Sequence, residues 1–232
     1  MTHISELNWL LIQQSLNDRG YARVPGLLST DECEAVKALY PQGEIYRNVI
    51  DMRRYRFGQG EYKYFAYPLP PVVREIRQQF YPHLAAIGNE WMQLLGEEKI
   101  FPHAHEELLD ACHRAGQKRP TPLILKYGTG GYNTLHQDLY GDVYFPFQVL
   151  LLLSDAATDF TGGEFVIVEQ VPRAQSRAHV IHLSRGDALI FTTNFRPARG
   201  TRGYYRATMK HGISELHKGE RYALGVIFHD AR

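Results

Sequence analysis

From Pro122 onward the chain alternates short β-branched and aromatic runs with turn residues, and this rhythm constrains the fold more than any other feature. Candidate strands fall at 123–127, 147–153, 164–168, 179–183, 188–192, 204–210 and 222–228. Between them stand Gly128-Thr129-Gly130-Gly131, Thr161-Gly162-Gly163, Arg185-Gly186-Asp187 and Lys218-Gly219-Glu220. Such clusters end one strand and begin the next. Many short strands at this spacing predict a jelly-roll sandwich or barrel.

The first 115 residues read mainly as helix. Ile4, Leu7, Leu11 and Leu16, with Trp9 and Ile12 nearby, form a helical stripe that stops at Gly20. Ser29 followed by Glu32 is a capping box opening a helix through Val36 and Leu39. Pro70-Pro71 can start another, carrying Val72, Ile76 and Phe80, and Pro82 should break or kink it. Leu84, Ile87, Trp91 and Leu95 continue the pattern, and a short helix is expected at 106–115. The predicted class is α+β: residues 1–115 form a helical support, residues 116–232 a jelly-roll core, and together they form one domain over 1–232. A length of 232 residues is within reach of a single domain.

Composition narrows the function classes. Hydrophobic residues at 44% and charged residues at 22% provide a core and a hydrated surface, which argues against disorder. A net charge of +1 argues against bulk electrostatic binding to nucleic acid or membrane, although a local basic patch remains compatible with it. Two cysteines, Cys33 and Cys112, are too few for a disulfide framework or a thiolate metal site, and both sit at apolar helical positions. No signal-like stretch or membrane-length apolar run is visible, so a cytoplasmic location is expected.

The sharpest local signal is Leu135-His136-Gln137-Asp138-Leu139. In extended chain, residues two apart point the same way, so one imidazole and one carboxylate can meet a single ion. Two histidines and a carboxylate on one face of an octahedron leave three sites open, the arrangement of non-haem iron(II) oxygenases. A lone His-x-Asp is weak, but here a glycine-rich segment precedes it and a β-rich run follows. Several histidines compete for the third position. His179 and His182 alternate with Val180 and Leu183, His217 lies among Glu215, Lys218 and Glu220, and His229 follows the last strand. His211 is preferred because 212–220 can reverse the chain and Arg221 then opens a final strand. Arg221 has matching chemistry: a dicarboxylate that chelates iron by its keto-acid end leaves a far carboxylate, which a guanidinium binds with two parallel hydrogen bonds.

These residues resemble a known group. The run Tyr127 to Asp138 is similar to the metal segment of AlkB-type dealkylases and prolyl hydroxylases. Phe160-Thr161-Gly162-Gly163-Glu164-Phe165 and Gly186-Asp187-Ala188-Leu189-Ile190-Phe191 resemble prolyl-hydroxylase segments, and Lys210-His211-Gly212-Ile213 resembles the distal-histidine segment of AlkB. Nearly the whole chain also resembles a bacterial family described as oxygenases for oxidative demethylation of damaged DNA. Its runs stand here as Arg56-Phe57-Gly58, Glu61 to Phe65, Pro120 to Leu123, His136 to Gly141 and Ile227 to Ala231.

The resemblance implies a double-stranded β-helix of cupin type with packed N-terminal helices. It implies a dioxygenase using iron(II), 2-oxoglutarate and molecular oxygen. By position it makes His136, Asp138 and His211 the metal ligands and catalytic triad, with Arg221 and Tyr127 holding 2-oxoglutarate. One departure is visible: where AlkB-type enzymes carry a second arginine, this chain has Ile227.

Two segments mix cations with aromatics. One, 46–65, holds Arg47, Arg53, Arg54, Arg56 and Lys63 among Tyr55, Phe57, Tyr62 and Tyr64. The other, 194–211, holds Arg196, Arg199, Arg202, Arg206 and Lys210 with Phe195, Tyr204 and Tyr205. If both line the cavity mouth, single-stranded or damaged DNA or RNA becomes a partner, because cations contact phosphates and rings stack on bases. Three function classes stay open: demethylation of damaged bases, hydroxylation of a protein side chain or small molecule, and a non-catalytic β-sandwich binding module.

Overall fold

The computed structural model describes residues 4–232. Its first part runs α1 (Trp9–Arg19), β1 (Tyr21–Val24), α2 (Thr30–Lys37), β2 (Tyr46–Asp51), β3 (Gly58–Gln59), β4 (Glu61–Phe65), α3 (Pro71–Leu94) and α4 (His105–Arg114). The second part is all strand: β5 (Leu123–Gly128), β6 (Tyr132–His136), β7 (Phe147–Leu152), β8 (Phe160–Gly162), β9 (Phe165–Gln170), β10 (Arg177–Ile181), β11 (Ala188–Thr192), β12 (Phe195–Gly200), β13 (Gly203–Ile213) and β14 (Leu216–Ile227).

The strands form two antiparallel sheets. The larger runs β1-β11-β7-β14-β5-β4-β2, with β8 on β14. The smaller runs β10-β9-β13-β6-β3, with β12 on β13. This two-sheet jelly roll with packed helices is the double-stranded β-helix expected from the sequence.

Strand alternation decides what each face meets. Along β7, Phe147, Val149 and Leu151 join the core shared with Ile76, Phe80, Leu84 and Trp91 of α3. Leu150 and Leu152 face the other way, toward Phe165 and Ile167 of β9 and Met209 and Ile213 of β13. All six residues of β7 are buried, as expected for a central strand covered on both sides. Removing each large apolar side chain from water contributes about 1.5–3 kcal/mol. The same alternation puts Tyr222, Leu224 and Val226 of β14 on the helix side and leaves Arg221, Ala223, Gly225 and Ile227 on the inner one.

Local signals act as their chemistry suggests. Gly20 caps α1 in the left-handed region at φ 78°. Ser29 and Glu32 form the capping box: the Glu32 amide donates to Ser29 Oγ, and the Ser29 amide donates to the Glu32 carboxylate. Two expectations need correction. The N-terminal region is not only helical, since it supplies β1–β4 to both sheets. Edge strand β2 and its neighbour β4 are largely half-exposed, and their charges pack on tyrosines, as where Lys63 lies 4.1 Å from the Tyr40 ring; this masks a clean alternation. Of the break or kink expected at Pro82, the break does not occur, because α3 continues through it to Leu94. The long buried stripe from Val73 to Trp91 offsets the lost hydrogen bond. Among the described residues no helix is long and apolar enough to cross a membrane.

Candidate active site

His136 ends β6, and Asp138 follows just beyond the strand. His211, on β13, is paired in register with His136. Glycine at 212 permits this close pass, since a Cβ there would lie 2.6 Å from the Asn133 carbonyl oxygen. The result is a cluster: one ligand atom from each of His136, Asp138 and His211, all within 4.8 Å of one another. Among the described residues it is the one such grouping of three or more metal-ligating side chains. None of His179, His182, His217 and His229 belongs to it.

Each member is held by its surroundings. His136 Nδ1 lies 2.7 Å from the Thr134 carbonyl oxygen, which can only accept. Nδ1 therefore carries the proton, and Nε2 presents its lone pair 3.6 Å from Asp138 Oδ1. His211 Nε2 lies 3.3 Å from Asp138 Oδ2. Its ring stacks on Phe165, with centroids 5.8 Å apart and planes 6° apart, and packs against Phe191. Burial lowers the His211 pKa and so favours the neutral imidazole that a metal needs.

Asp138 has donors on both oxygens. Tyr140 donates its hydroxyl to Oδ1 at 2.7 Å, and Gln148 donates its amide to Oδ2 at 2.7 Å. Burial pushes this carboxyl up, but His211, His136 and Tyr140 together hold it well below the usual carboxylate range. Tyr140 and Gln148 hold the Asp138 carboxylate, and sequence reading assigned them no role. Tyr140 had only its place two residues past Asp138 as a signal. Gln148 was a lone polar residue in an apolar strand, which is itself a usable sign of inward-facing work.

The cluster opens into a cavity of about 230 Å³ lined by both sheets. Arg221 sits on its wall at 2% exposure. Its Nε and Nη1 have no hydrogen-bond partner among the described residues. Burial pushes its pKa down to about 10, so it stays charged at neutral pH. Its cross-strand partner is Tyr127, whose ring centre lies 5.9 Å from the guanidinium carbon. The Tyr127 hydroxyl is buried, faces Asn133, and makes no hydrogen bond of normal geometry. A buried cation with free donors calls for an anion. Ile227 also lines the cavity, giving it an apolar wall at that point.

The two basic segments part company. Phe57, Tyr62 and Tyr64 of the first line the cavity. The second contributes His211 alone, and none of its cations lines the cavity. Arg196 pairs with Glu169, and Arg206 pairs with Glu97 at 2.8 Å while lying over Phe195. The expectation that both segments meet at the mouth is therefore corrected. The glycine-rich turn before β6 also stands apart from the cavity: Gly130 and Gly131 bond to Leu216 and tie β5–β6 to β14.

Comparison with known proteins adds the following. Residues 60–231 match Oxygenase-NA, a family described as "Oxygenase, catalysing oxidative methylation of damaged DNA". An uncharacterized protein of Mycobacterium tuberculosis is 50% identical over 167 residues, covering 72% of each chain. A prolyl-4-hydroxylase of Pseudomonas putida superposes with a TM-score of 0.54 at 13% identity, over 97% of this chain and 99% of its own. An oxidoreductase of the 2OG-Fe(II) oxygenase family from Burkholderia pseudomallei gives 0.53 at 15% identity, over 97% and 94%. At such identities these structures establish likeness of fold.

Proposed function

Since the chain belongs to the Oxygenase-NA family, and is thereby an oxidoreductase, we propose that it dealkylates damaged nucleic-acid bases with iron(II), 2-oxoglutarate and oxygen. The non-catalytic reading falls with membership of that family. The observation that carries the proposal is the joint placement, in one cavity, of a two-histidine, one-carboxylate cluster and a buried arginine with free donors.

The residues fit the metal by donor set: two imidazoles and a carboxylate suit iron(II) with open positions. His136, Asp138 and His211 would hold it. Bound iron supplies the activation of oxygen that, with decarboxylation of 2-oxoglutarate to succinate, places one oxygen atom into a substrate C–H bond. The protein does the rest. Tyr140 and Gln148 fix the Asp138 carboxylate in one orientation. The Thr134 carbonyl fixes the His136 tautomer. Arg221 binds the far carboxylate of 2-oxoglutarate, with Tyr127 beside it. The apolar walls exclude water from the reacting centre.

On an N-methyl base, hydroxylation gives an unstable hemiaminal. Its C–N bond breaks, the nitrogen recovers a proton, and the methyl carbon leaves as formaldehyde. This chemistry removes a methyl group, so we read the family's activity as demethylation. The test is formaldehyde and succinate release from methylated single-stranded DNA, in equal amounts. A second reading, hydroxylation of a protein side chain or small molecule, is favoured by one observation: apolar Ile227 lines the cavity where a second arginine would stand. Succinate without formaldehyde, from a non-nucleic substrate, would select it.

A further inference from the structure

At the rim of the cavity, large aromatic side chains lie open to solvent with nothing packed over them. Tyr55 is 55% exposed and Phe57 45% exposed. Their rings are stacked, with centroids 5.5 Å apart and planes 18° apart. Phe57 lines the cavity, and Tyr55 is its neighbour on the outer side. Other exposed apolar residues, such as Leu10, Ile100 and Val180, do not line it.

The pair is built in rather than loose. It rides on a short 3-10 turn, Met52–Tyr55, whose first residue is fully buried. Arg56 closes that turn in the left-handed region at φ 59°. The Phe57 amide donates to the Met52 carbonyl at 3.1 Å. The Phe57 carbonyl accepts from both the Thr134 amide and the Thr134 hydroxyl, each at 2.8 Å. Thr134 lies on β6, the strand that ends at His136. The turn and the triad are therefore mounted on the same strand.

Charge gives the chemistry of what would cover the rings. Arg53 is bound to Asp51 at 3.1 Å. Arg54 and Arg56, on either side of Tyr55, are exposed and make no salt bridge among the described residues. Stacked rings flanked by free guanidiniums match a base with its phosphates: rings stack on any base, and cations take the backbone. An acidic peptide would use the arginines but leave two flat faces poorly covered.

We propose that Tyr55 and Phe57 form a stacking platform for the base that flanks the one entering the cavity, on a single strand of nucleic acid. This rests on the nucleic-acid reading above and adds where the strand lies. A duplex keeps the flanking base stacked on its neighbours, so the platform selects unpaired strands or strands opened at the target.

The experiment uses the full chain and two probes: a short single-stranded deoxyoligonucleotide carrying one N-methylated base, and the same strand unmethylated. Formaldehyde release gives KM for the first, and fluorescence anisotropy gives Kd for the second. The variants are Tyr55→Ala, Tyr55→Phe and the pair Arg54→Glu with Arg56→Glu. Tyr55→Ala should raise both KM and Kd about tenfold, as expected for loss of one base–ring stack, while Tyr55→Phe stays close to the parent. The arginine pair should weaken binding and flatten its dependence on salt. Turnover of the oligonucleotide with Tyr55→Ala equal to the parent would overturn the platform and leave the dealkylase reading standing. Tyr55-dependent binding with no formaldehyde from any methylated strand would support the platform and remove the dealkylase reading. Neither binding nor turnover by the parent protein would overturn both.

Discussion

Two arginines are buried among the described residues, and their surroundings differ. Arg77, on α3, is 1% exposed and fully engaged. Its Nε donates to the Ile227 carbonyl at 2.9 Å, its Nη1 to the Tyr67 hydroxyl at 3.0 Å, and its Nη2 to the Phe228 carbonyl and the Asp230 carboxylate. Arg221, on β14, is 2% exposed, yet its Nε and Nη1 have no partner among the described residues. A buried cation is costly unless paired and hydrogen-bonded. At Arg77 the chain itself supplies the partners, clamping the C-terminal residues 227–230 onto α3. At Arg221 the described chain leaves those donors unpartnered, as the proposed 2-oxoglutarate site requires. Burial marks out both residues, and hydrogen-bond satisfaction separates the structural one from the one proposed to bind 2-oxoglutarate.

The strongest way to break that contrast is to remove each arginine. Arg77→Met should leave Asp230 buried without its counter-charge and cost about 3–5 kcal/mol of folding stability, read from urea unfolding. Added 2-oxoglutarate should not restore it. Arg221→Ala should behave in the opposite way. Folding stability should hold or rise, while 2-oxoglutarate binding, followed by calorimetry on the metal-loaded protein, should weaken by about 2–5 kcal/mol. Metal affinity should be nearly unchanged. An unaltered 2-oxoglutarate affinity would remove Arg221 from the site.

A smaller effect tests the cavity side alone. Gln148→Leu removes a donor from Asp138 Oδ2 without touching a ligand. Loss of such an outer partner should lower metal affinity about 10- to 100-fold, measured by competition with a chelator. No change would make Gln148 a packing residue.

The smallest effect belongs to the Arg77 side. Burial pushes the His105 pKa down to about 4, and its Nε2 donates to the Phe228 carbonyl at 2.8 Å. The folded state holds this ring neutral, whereas the unfolded chain protonates it near pH 6.5. Its contribution is therefore present above pH 6.5 and lost as pH falls toward 4. Between pH 7 and pH 5 the loss should approach 2 kcal/mol, about the most one histidine can contribute over that range. His105→Gln should flatten the acid limb of a stability–pH curve, and an unchanged slope would assign the pH dependence elsewhere.

The fold was legible from the sequence where patterns are local. The turn clusters after Pro122 placed strands near β5, β7, β9, β10, β11, β13 and β14, and capping chemistry opened α2 at Ser29. The i,i+2 spacing was enough to bring His136 and Asp138 to one side. Strands β1 and β3 were missed because their partners β11 and β6 lie far along the chain, and β2 and β4, paired with each other, carry packed cations that leave little alternation. Chain pairing decided the rest. His211 joins the cluster, and His229 does not, because β13 runs in register beside β6 while His229 is held to the Phe145 amide. Tyr140 and Gln148 reach Asp138 only in the folded chain. Residue types and short spacings fix which chemistry is available, because side-chain direction in a strand is a local property. Which groups meet, and which buried donors stay unpartnered, depends on strand register between distant segments, and only the tertiary structure sets that.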